Sequence, residues 1–239
     1  MAHILITRPT RQAGKTAKAL RQLGHTCLVE PMLTIEPVSS QMPDGPFDGA
    51  IATSANALAA LEKVWPVEER GSVPLLVTGS ATAEAARNLG FIKTSHVAGS
   101  AIDLLDHVAD WMAENHLGAE AHLLYPSAVV LAHDIAELLS MQSISCSRWV
   151  VYRAVAADNL SASVKKALAS GEIDYVFLYS KRTAQTFVRL MQQNGLSLSN
   201  FRTLVLSQDI LDSLPEDMKD HAKSAARPSE DEMFRLIVP

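Results

Sequence analysis

The sequence predicts an α/β protein with two doubly wound parallel-sheet domains joined by a two-stranded connector. A strand opened by Asp, then small hydroxyl or amide residues, then an amphipathic helix occurs twice, at residues 48–61 and 173–187. Short apolar strands also alternate with helices along most of the chain, which is typical of a parallel sheet covered by helices on both faces. The 239 residues are enough for two domains of about 120 residues each.

The first third of the chain follows this alternation. An apolar strand at residues 3–7 leads into a helix that we expect Thr10 to cap and Gly24 to end. A strand at 27–29 and an extended segment at 32–38 come next. From Asp48 we expect strands at residues 50–53, 73–77, 94–97, 122–125 and 144–151, with helices at 55–65, 81–89, 101–116 and 129–139.

The last third repeats the pattern after a second extended segment at 149–156. We expect strands at 175–179, 203–206 and 224–226, helices at 161–169, 182–193 and 210–219, and a final helix opened by the capping box of Ser229 and Glu232. This block has too few strands to cover both faces, so the N-terminal strand and helix are expected to complete it. The predicted domains are residues 1–34 plus 154–239, an insert at 38–149, and connector strands at 32–38 and 149–156.

Composition excludes several classes of protein. The net charge of −5 and the absence of a basic stripe argue against nucleic acid as a partner. No apolar run reaches the roughly 18 to 20 residues of a membrane span, and the N-terminus does not resemble a signal peptide. We therefore expect a cytoplasmic protein with no membrane partner.

Motifs for the common cofactors and metals do not occur. Cys27 and Cys146 stand far apart with no CxxC spacing, and the eight histidines form no HExxH motif. The chain contains neither GxGxxG nor GxxxxGK[ST], so a nucleotide site is not expected, and a hydrolase triad has no GxSxG to hold its nucleophile. We predict no cofactor and no metal.

Similar polar turns follow several of the predicted strands. Such turns gather at the carboxyl ends of parallel strands, and the first N–H groups of the helices that they open attract anions. Two domains facing each other would enclose a cleft for a ligand that carries many carboxylates. Each hydroxyl also has an alternative role as a helix cap, and Gly79 as a residue needed for its φ angle. The candidate binding residues are Arg8, Thr53, Ser54, Asn56, Gly79, Ser80, Thr82, Ser127, Ser180, Lys181 and Arg182.

Tyr152 is a further candidate site residue. It lies on a predicted crossing between the domains, where its phenol either reaches the cleft or packs at the domain junction. Arg153, beside it, is either solvated, paired within the protein or in contact with a ligand carboxylate.

The sequence resembles the uroporphyrinogen-III synthase family over nearly its whole length. The resemblance lies in the order of these segments: ILITRP, LGHTCLVEPML, DGAIATSANAL, VTGSATAEAARNLGF, HLLYPSAVVLAHDIAELL, VVYRAVA, DYVFLYSKRTAQTF and RPSEDEMFRLI. It implies a monomeric enzyme that closes hydroxymethylbilane, a linear tetrapyrrole with eight carboxylates, into uroporphyrinogen III. Ring D is inverted, water is lost and no cofactor is used. Tyr152 matches the connector tyrosine that would assist departure of the hydroxyl.

Two turns depart from the family pattern. Pro126–Ser127–Ala128 stands where a Pro-Arg-Gly-like turn is common, and Ile210 occupies the place of a hydroxyl residue at a helix start, whereas Lys181 and Arg182 add positive charge. These changes keep open a second hypothesis, a non-catalytic two-domain binder of a polyanion. A two-lobed glycosyltransferase is a third, although no nucleotide-sugar signal supports it.

Overall fold

The computed structural model describes residues 1–98 and 101–237 and consists of two units. Unit 1 combines Met1–Thr34 with the chain from Val155 onward, and unit 2 is Ile35–Ala154. Both contain a mainly parallel sheet with helices on its two faces, which confirms the predicted fold class. Within the described residues, no helix has the length and apolar character needed to cross a membrane.

The helices and strands alternate along the chain. The strands are β1 (His3–Ile6), β2 (Thr26–Val29), β3 (Leu33–Pro37), β4 (Gly49–Ala52), β5 (Leu75–Thr78), β6 (Thr94–Val97), β7 (His122–Ala128), β8 (Ser145–Ala156), β9 (Tyr175–Leu178), β10 (Arg202–Val205) and β11 (Ala222–Ser224). The helices are α1 (Thr10–Gln22), α2 (Leu58–Leu61), α3 (Ser80–Asn88), α4 (Leu105–Glu114), α5 (Ile135–Met141), α6 (Ala162–Ala169), α7 (Lys181–Gln193), α8 (Gln208–Asp212), α9 (Glu216–Lys219) and α10 (Glu230–Arg235). A 3-10 turn, Ala55–Ala57, precedes α2.

Unit 1 has a five-stranded parallel sheet in the order β11-β10-β9-β1-β2. Side chains alternate between its faces, as the period of two in a strand requires. Ile4 and Ile6 face α1 and α10, whereas Leu5 faces α6 to α9. The N-terminal strand therefore lies inside this sheet, paired with β9 and β2.

Unit 2 has a six-stranded sheet in the order β3-β8-β7-β4-β5-β6, in which β4 to β8 are parallel. Helices α2 and α3 cover one face, and α4 and α5 the other. The edge strand β3 runs antiparallel to β8. Val38 N–H donates to the Val151 carbonyl and Ala157 N–H donates to the Met32 carbonyl, so the residue numbers rise along one strand as they fall along the other. Both strands contain a point where the chain passes from one unit to the other.

Several predicted helices are longer than the observed ones. The helix expected at 129–139 begins only at Ile135, because the Asp134 carboxylate caps it by accepting from Ala136 N–H at 3.1 Å. The helix expected at 210–219 is interrupted before Pro215, which cannot continue a helix. The predicted helices at 55–65 and 101–116 shorten to the 3-10 turn with α2 and to α4.

Two further expectations about local structure are wrong. Thr10 is not the cap of α1: Pro9 occupies that position and Thr10 is the first helical residue. Ser127 does not lie in a turn, because β7 continues to Ala128 alongside β8. Gly24, by contrast, has a φ of 84° and ends α1 as expected.

Candidate functional site

Each sheet has one place where the connections of the chain reverse direction, here called its switch point. In unit 2 the chain moves from β4 to one side and from β7 to the other, so the switch point lies between β4 and β7. In unit 1 it lies between β1 and β9. Doubly wound sheets bind ligands beyond the carboxyl ends of the strands at this point.

Hydroxyl groups link β4, β5 and β7 near the switch point of unit 2. Thr53 follows β4, and its Oγ1 lies 3.2 Å from the hydroxyl of Tyr125 on β7. Thr78, the last residue of β5, donates its hydroxyl to the Thr53 carbonyl at 3.3 Å. Thr53 is half-buried. Sequence reasoning missed Tyr125, because an aromatic in an apolar strand is expected to belong to the core.

The next residue after Thr53 caps the 3-10 turn. Ser54 Oγ accepts from Asn56 N–H at 3.2 Å, so its hydroxyl serves the alternative role of a cap. The 3-10 turn, which contains Asn56, contacts α3.

No side chain of the described residues caps the start of α3. Gly79 occupies the cap position with a φ of 77°, and the first helical bond runs from Ala83 N–H to the Gly79 carbonyl. The N–H groups of the first turn therefore lack helical partners at the positive end of the dipole. A Cβ at Gly79 would meet no atom of residues 1–98 and 101–237 within 4 Å, so the described part of the chain leaves this turn open. Ser80 is exposed and Thr82 is buried.

Tyr152 and Arg153 lie on β8. Tyr152 is half-buried and is the partner of Ala128 in the ladder with β7. Its hydroxyl has no hydrogen-bond partner among residues 1–98 and 101–237. Arg153 is paired with Glu36 at 2.8 Å, which favours the internal ion pair among its three alternatives.

Ser127 is almost fully buried, at 3% exposure, and its hydroxyl accepts a hydrogen bond from Arg148. The Arg148 guanidinium donates to Ser127 Oγ at 3.0 Å, to the Ala128 carbonyl at 2.8 Å and to Asp134 at 2.9 Å. The guanidinium of Arg148, on β8, therefore places a positive charge at the end of β7, and Asp134 neutralises this charge. No feature of the sequence distinguished Arg148 beforehand.

The switch point of unit 1 holds a charged cluster. Arg8, after β1, stacks its guanidinium 4.2 Å from the ring centroid of Tyr179, after β9, and pairs with Glu230 of α10 at 2.7 Å. Tyr179 donates its hydroxyl to the same carboxylate at 3.1 Å. Burial, with the Glu230 charge as a smaller cause, raises the pKa of Tyr179. Arg8 thus has a partner within the chain, which the sequence did not reveal.

The remaining candidates lie at the start of α7. Ser180 caps the helix by accepting from Thr183 N–H at 3.1 Å, so it too is a helix cap. Lys181 pairs with Asp209 at 2.7 Å, and Arg182 is exposed. In the described parts of the chain, no three His, Cys, Asp or Glu side chains come together as a metal site.

Comparisons with known proteins agree with the fold. The family model described as uroporphyrinogen-III synthase HemD matches residues 14–235. A crystal structure of uroporphyrinogen-III synthetase from Helicobacter pylori has a TM-score of 0.63 at 16% identity, over 99% of this chain and 98% of that one. A mutant uroporphyrinogen III synthase from Thermus thermophilus has a TM-score of 0.52 at 14% identity, over 98% and 96%.

A curated relative is also similar in sequence. The porphyrin biosynthesis protein HemD of Ruminiclostridium josui is 24% identical over 203 residues, which cover 79% of this chain. The match covers 39% of that relative, so the chain spans about two fifths of its length.

Proposed function

The chain belongs to the uroporphyrinogen-III synthase family, and we propose that it cyclises hydroxymethylbilane to uroporphyrinogen III with inversion of ring D. The observation that carries this proposal is the family match over residues 14–235, which includes most of unit 1 and all of unit 2. The protein would act as a cyclising hydro-lyase of haem biosynthesis, as a monomer in the cytoplasm and without a cofactor.

The start of α3 supports a polycarboxylate substrate. The N–H groups of its first turn, which lack helical partners, the room at Gly79 and the exposed Ser80 suit one carboxylate of the bilane. We assign substrate contacts to this turn and to the turn after β4, through Thr53, Ser54, Asn56, Gly79, Ser80 and Thr82. Ser180, Lys181 and Arg182 are the proposed contacts in unit 1. Arg8 and Ser127 are weaker candidates, because Glu230 and Arg148 already engage them.

The proposed reaction needs positioning more than reactive side chains. A proton joins the terminal hydroxyl of the bilane, water leaves, and the azafulvenium cation that remains is attacked by the substituted carbon of ring D. The spiro intermediate fragments and closes again, and a ring proton is lost. Without an enzyme the bilane closes without inversion, so binding must favour the geometry that leads to inversion.

Tyr152 is the proposed acid that assists departure of the hydroxyl. Its phenol is half-buried and has no hydrogen-bond partner among the described residues, so it is available to a ligand. We expect Tyr152→Phe to lower kcat about a hundredfold, the usual contribution of a positioned acid. Arg153→Ala is the matched control. Arg153 is next to Tyr152 in the chain but forms an ion pair with Glu36, so its loss should leave kcat unchanged.

Product analysis tests the function. Purified protein is incubated with freshly prepared hydroxymethylbilane, the products are oxidised, and the porphyrin isomers are separated. We expect isomer III to predominate and to form faster than the spontaneous reaction. Isomer I alone at the spontaneous rate would remove the activity, and binding of the bilane under those conditions would favour the non-catalytic binder.

A further inference from the structure

The Tyr125 hydroxyl is a buried polar group at the switch point of unit 2. The residue is 1% exposed and its ring packs among the side chains that α4 and α5 place on that face of the sheet. Thr53 Oγ1, at 3.2 Å, is the only hydrogen-bonding partner of this hydroxyl within residues 1–98 and 101–237. Burial of a hydroxyl is costly unless its proton is donated.

A count of protons decides which of the two hydroxyls donates. If Thr53 donated to Tyr125, the phenol proton would remain buried without an acceptor. If Tyr125 donates to Thr53, the unmatched proton belongs to Thr53, which is half-buried and can reach solvent or a ligand. The second arrangement leaves no buried donor unmatched, so it is favoured.

The protonation of Tyr125 agrees with this assignment. Burial, the largest cause, raises its pKa above the ordinary value of 10.0. The phenol therefore stays neutral and remains a donor throughout the physiological range of pH.

The orientation of Thr53 is fixed from two sides. Thr78 on β5 holds its carbonyl, and Tyr125 on β7 holds its hydroxyl oxygen. With that oxygen accepting from Tyr125, the Thr53 proton is directed away from β7. Hydrogen bonds in such a chain polarise one another, so a hydroxyl that accepts from a phenol becomes a stronger donor.

We propose that Tyr125 is a positioning residue that makes Thr53 a hydrogen-bond donor to a carboxylate of the substrate. The proposal rests on the proposed function, since it names one of the contacts of that substrate. Tyr125 acts through Thr53 and touches no substrate itself, so its loss should weaken binding rather than slow the chemical step.

Steady-state kinetics of Tyr125→Phe provide the first test. We expect KM for the bilane to rise about tenfold with kcat changed by less than about twofold, because the lost interaction is equally strong in substrate and transition state. Tyr175→Phe is the matched control: Tyr175 is 3% exposed, lies in the sheet of unit 1, and its hydroxyl accepts from Arg202 at 3.3 Å. A fall in kcat with unchanged KM in Tyr125→Phe would overturn the proposal.

Variants of Thr53 test the link between the two hydroxyls. Thr53→Val should weaken binding about as much as Tyr125→Phe, Thr53→Ser should bind like the wild type, and the double variant Tyr125→Phe with Thr53→Val should be no weaker than either single one. Additive effects would overturn the proposal. If Tyr125→Phe does not fold, the affinities of Thr53→Val and Thr53→Ser for the substrate are compared instead. Equal affinities of these two variants would reject the proposal.

A binding assay separates this proposal from the proposed function. Uroporphyrin III, the oxidised product, retains the carboxylates, and its fluorescence reports binding without turnover. We expect about tenfold weaker binding to Tyr125→Phe than to the wild type and to Tyr175→Phe. Equal affinity for all three would overturn the role of Tyr125 even if isomer III is formed. Weakened binding in a protein that makes only isomer I would retain that role and reject the enzymatic function.

Discussion

The two sheets use the same position in different ways. Unit 1 has its switch point between β1 and β9, and unit 2 between β4 and β7, and a tyrosine stands at each: Tyr179 and Tyr125. In unit 1 the tyrosine joins an ion pair with Glu230 of the C-terminal helix. In unit 2 the tyrosine is hydrogen-bonded to a threonine, and no side chain within residues 1–98 and 101–237 caps the neighbouring helix α3.

The two positions differ in whether an internal carboxylate is hydrogen-bonded to the tyrosine. Glu230 forms an ion pair with Arg8, so an external carboxylate would have to displace Glu230 to bind this arginine. Among the described residues, the hydroxyls of Thr53, Thr78 and Tyr125 have no carboxylate as a hydrogen-bond partner, although an ion pair between Arg148 and Asp134 stands at the end of β7. We infer that the cluster of Arg8, Tyr179 and Glu230 in unit 1 mainly stabilises the fold, whereas the turns after β4 and β5 in unit 2 are open to a ligand.

The largest expected effect comes from removing the internal carboxylate of unit 1. Glu230→Ala should lower the free energy of unfolding by about 2 kcal/mol, because Arg8 keeps its charge in a mostly buried place without its partner. The side chains of Arg8 and Glu230 are 20% and 36% exposed, which reduces the effect below that of a fully buried pair. Urea denaturation measures the change.

Glu36→Ala is the control in unit 2. It removes an ion pair whose side chains, Arg153 and Glu36, are 61% and 41% exposed, so we expect a loss below about 0.5 kcal/mol. Equal losses in the two variants would mean that the cluster of unit 1 is no more important to stability than a surface pair.

The second effect concerns the start of α3. Gly79→Ala should destabilise the protein by about 1 kcal/mol, because the φ of 77° is unfavourable for a residue with a Cβ although the space is open. Gly14→Ala, inside α1 and equally open, should stabilise it by about 0.5 kcal/mol, since alanine favours the helix. Thermal unfolding compares the two, and the same sign in both would contradict the conformational explanation.

The smallest expected effect concerns the rates of thiol labelling. Each unit has one cysteine, so these rates compare the two units directly. Burial raises the pKa of Cys146 in unit 2 to about 12 and also raises that of Cys27 in unit 1. Fewer thiolates form at pH 8, so both should react slowly in the native protein, Cys146 about tenfold more slowly than Cys27. Labelling of Cys27→Ser and Cys146→Ser with an aromatic disulfide identifies each rate. Faster reaction at Cys146 would show that unit 2 opens more readily than its burial suggests.

The sequence predicted the strands better than the helix starts. Apolar runs such as residues 4–6 and 50–52 indicate buried strands by themselves, since both faces of each sheet are covered. The start of α5 depends instead on Asp134, and that aspartate is also held by Arg148 from β8. The Asp134 cap, with Glu137 three residues later, is itself a local signal for a helix start, and the expectation of a helix from residue 129 overlooked it.

The candidate residues were recognised only where they follow a strand. Thr53, Gly79 and Ser180 could be identified because polar or small residues between a strand and a helix have a known place in parallel sheets. Glu230 and Tyr125 were not identified, because each acquires its role from a partner distant in the chain, Arg8 in one case and Thr53 in the other. Whether the identified residues bind substrate remains a prediction.

The pairing of Ile4 with Tyr175 has a consequence for synthesis on the ribosome. All of unit 2 is translated before β9 exists, so β1 and β2 wait without their neighbours while the inserted unit can already fold. Once folded, that unit holds residues 38 and 151 within hydrogen-bond distance of each other. The nascent chain therefore meets a short loop instead of a long one when β9 emerges, which lowers the entropy lost on closing the last sheet.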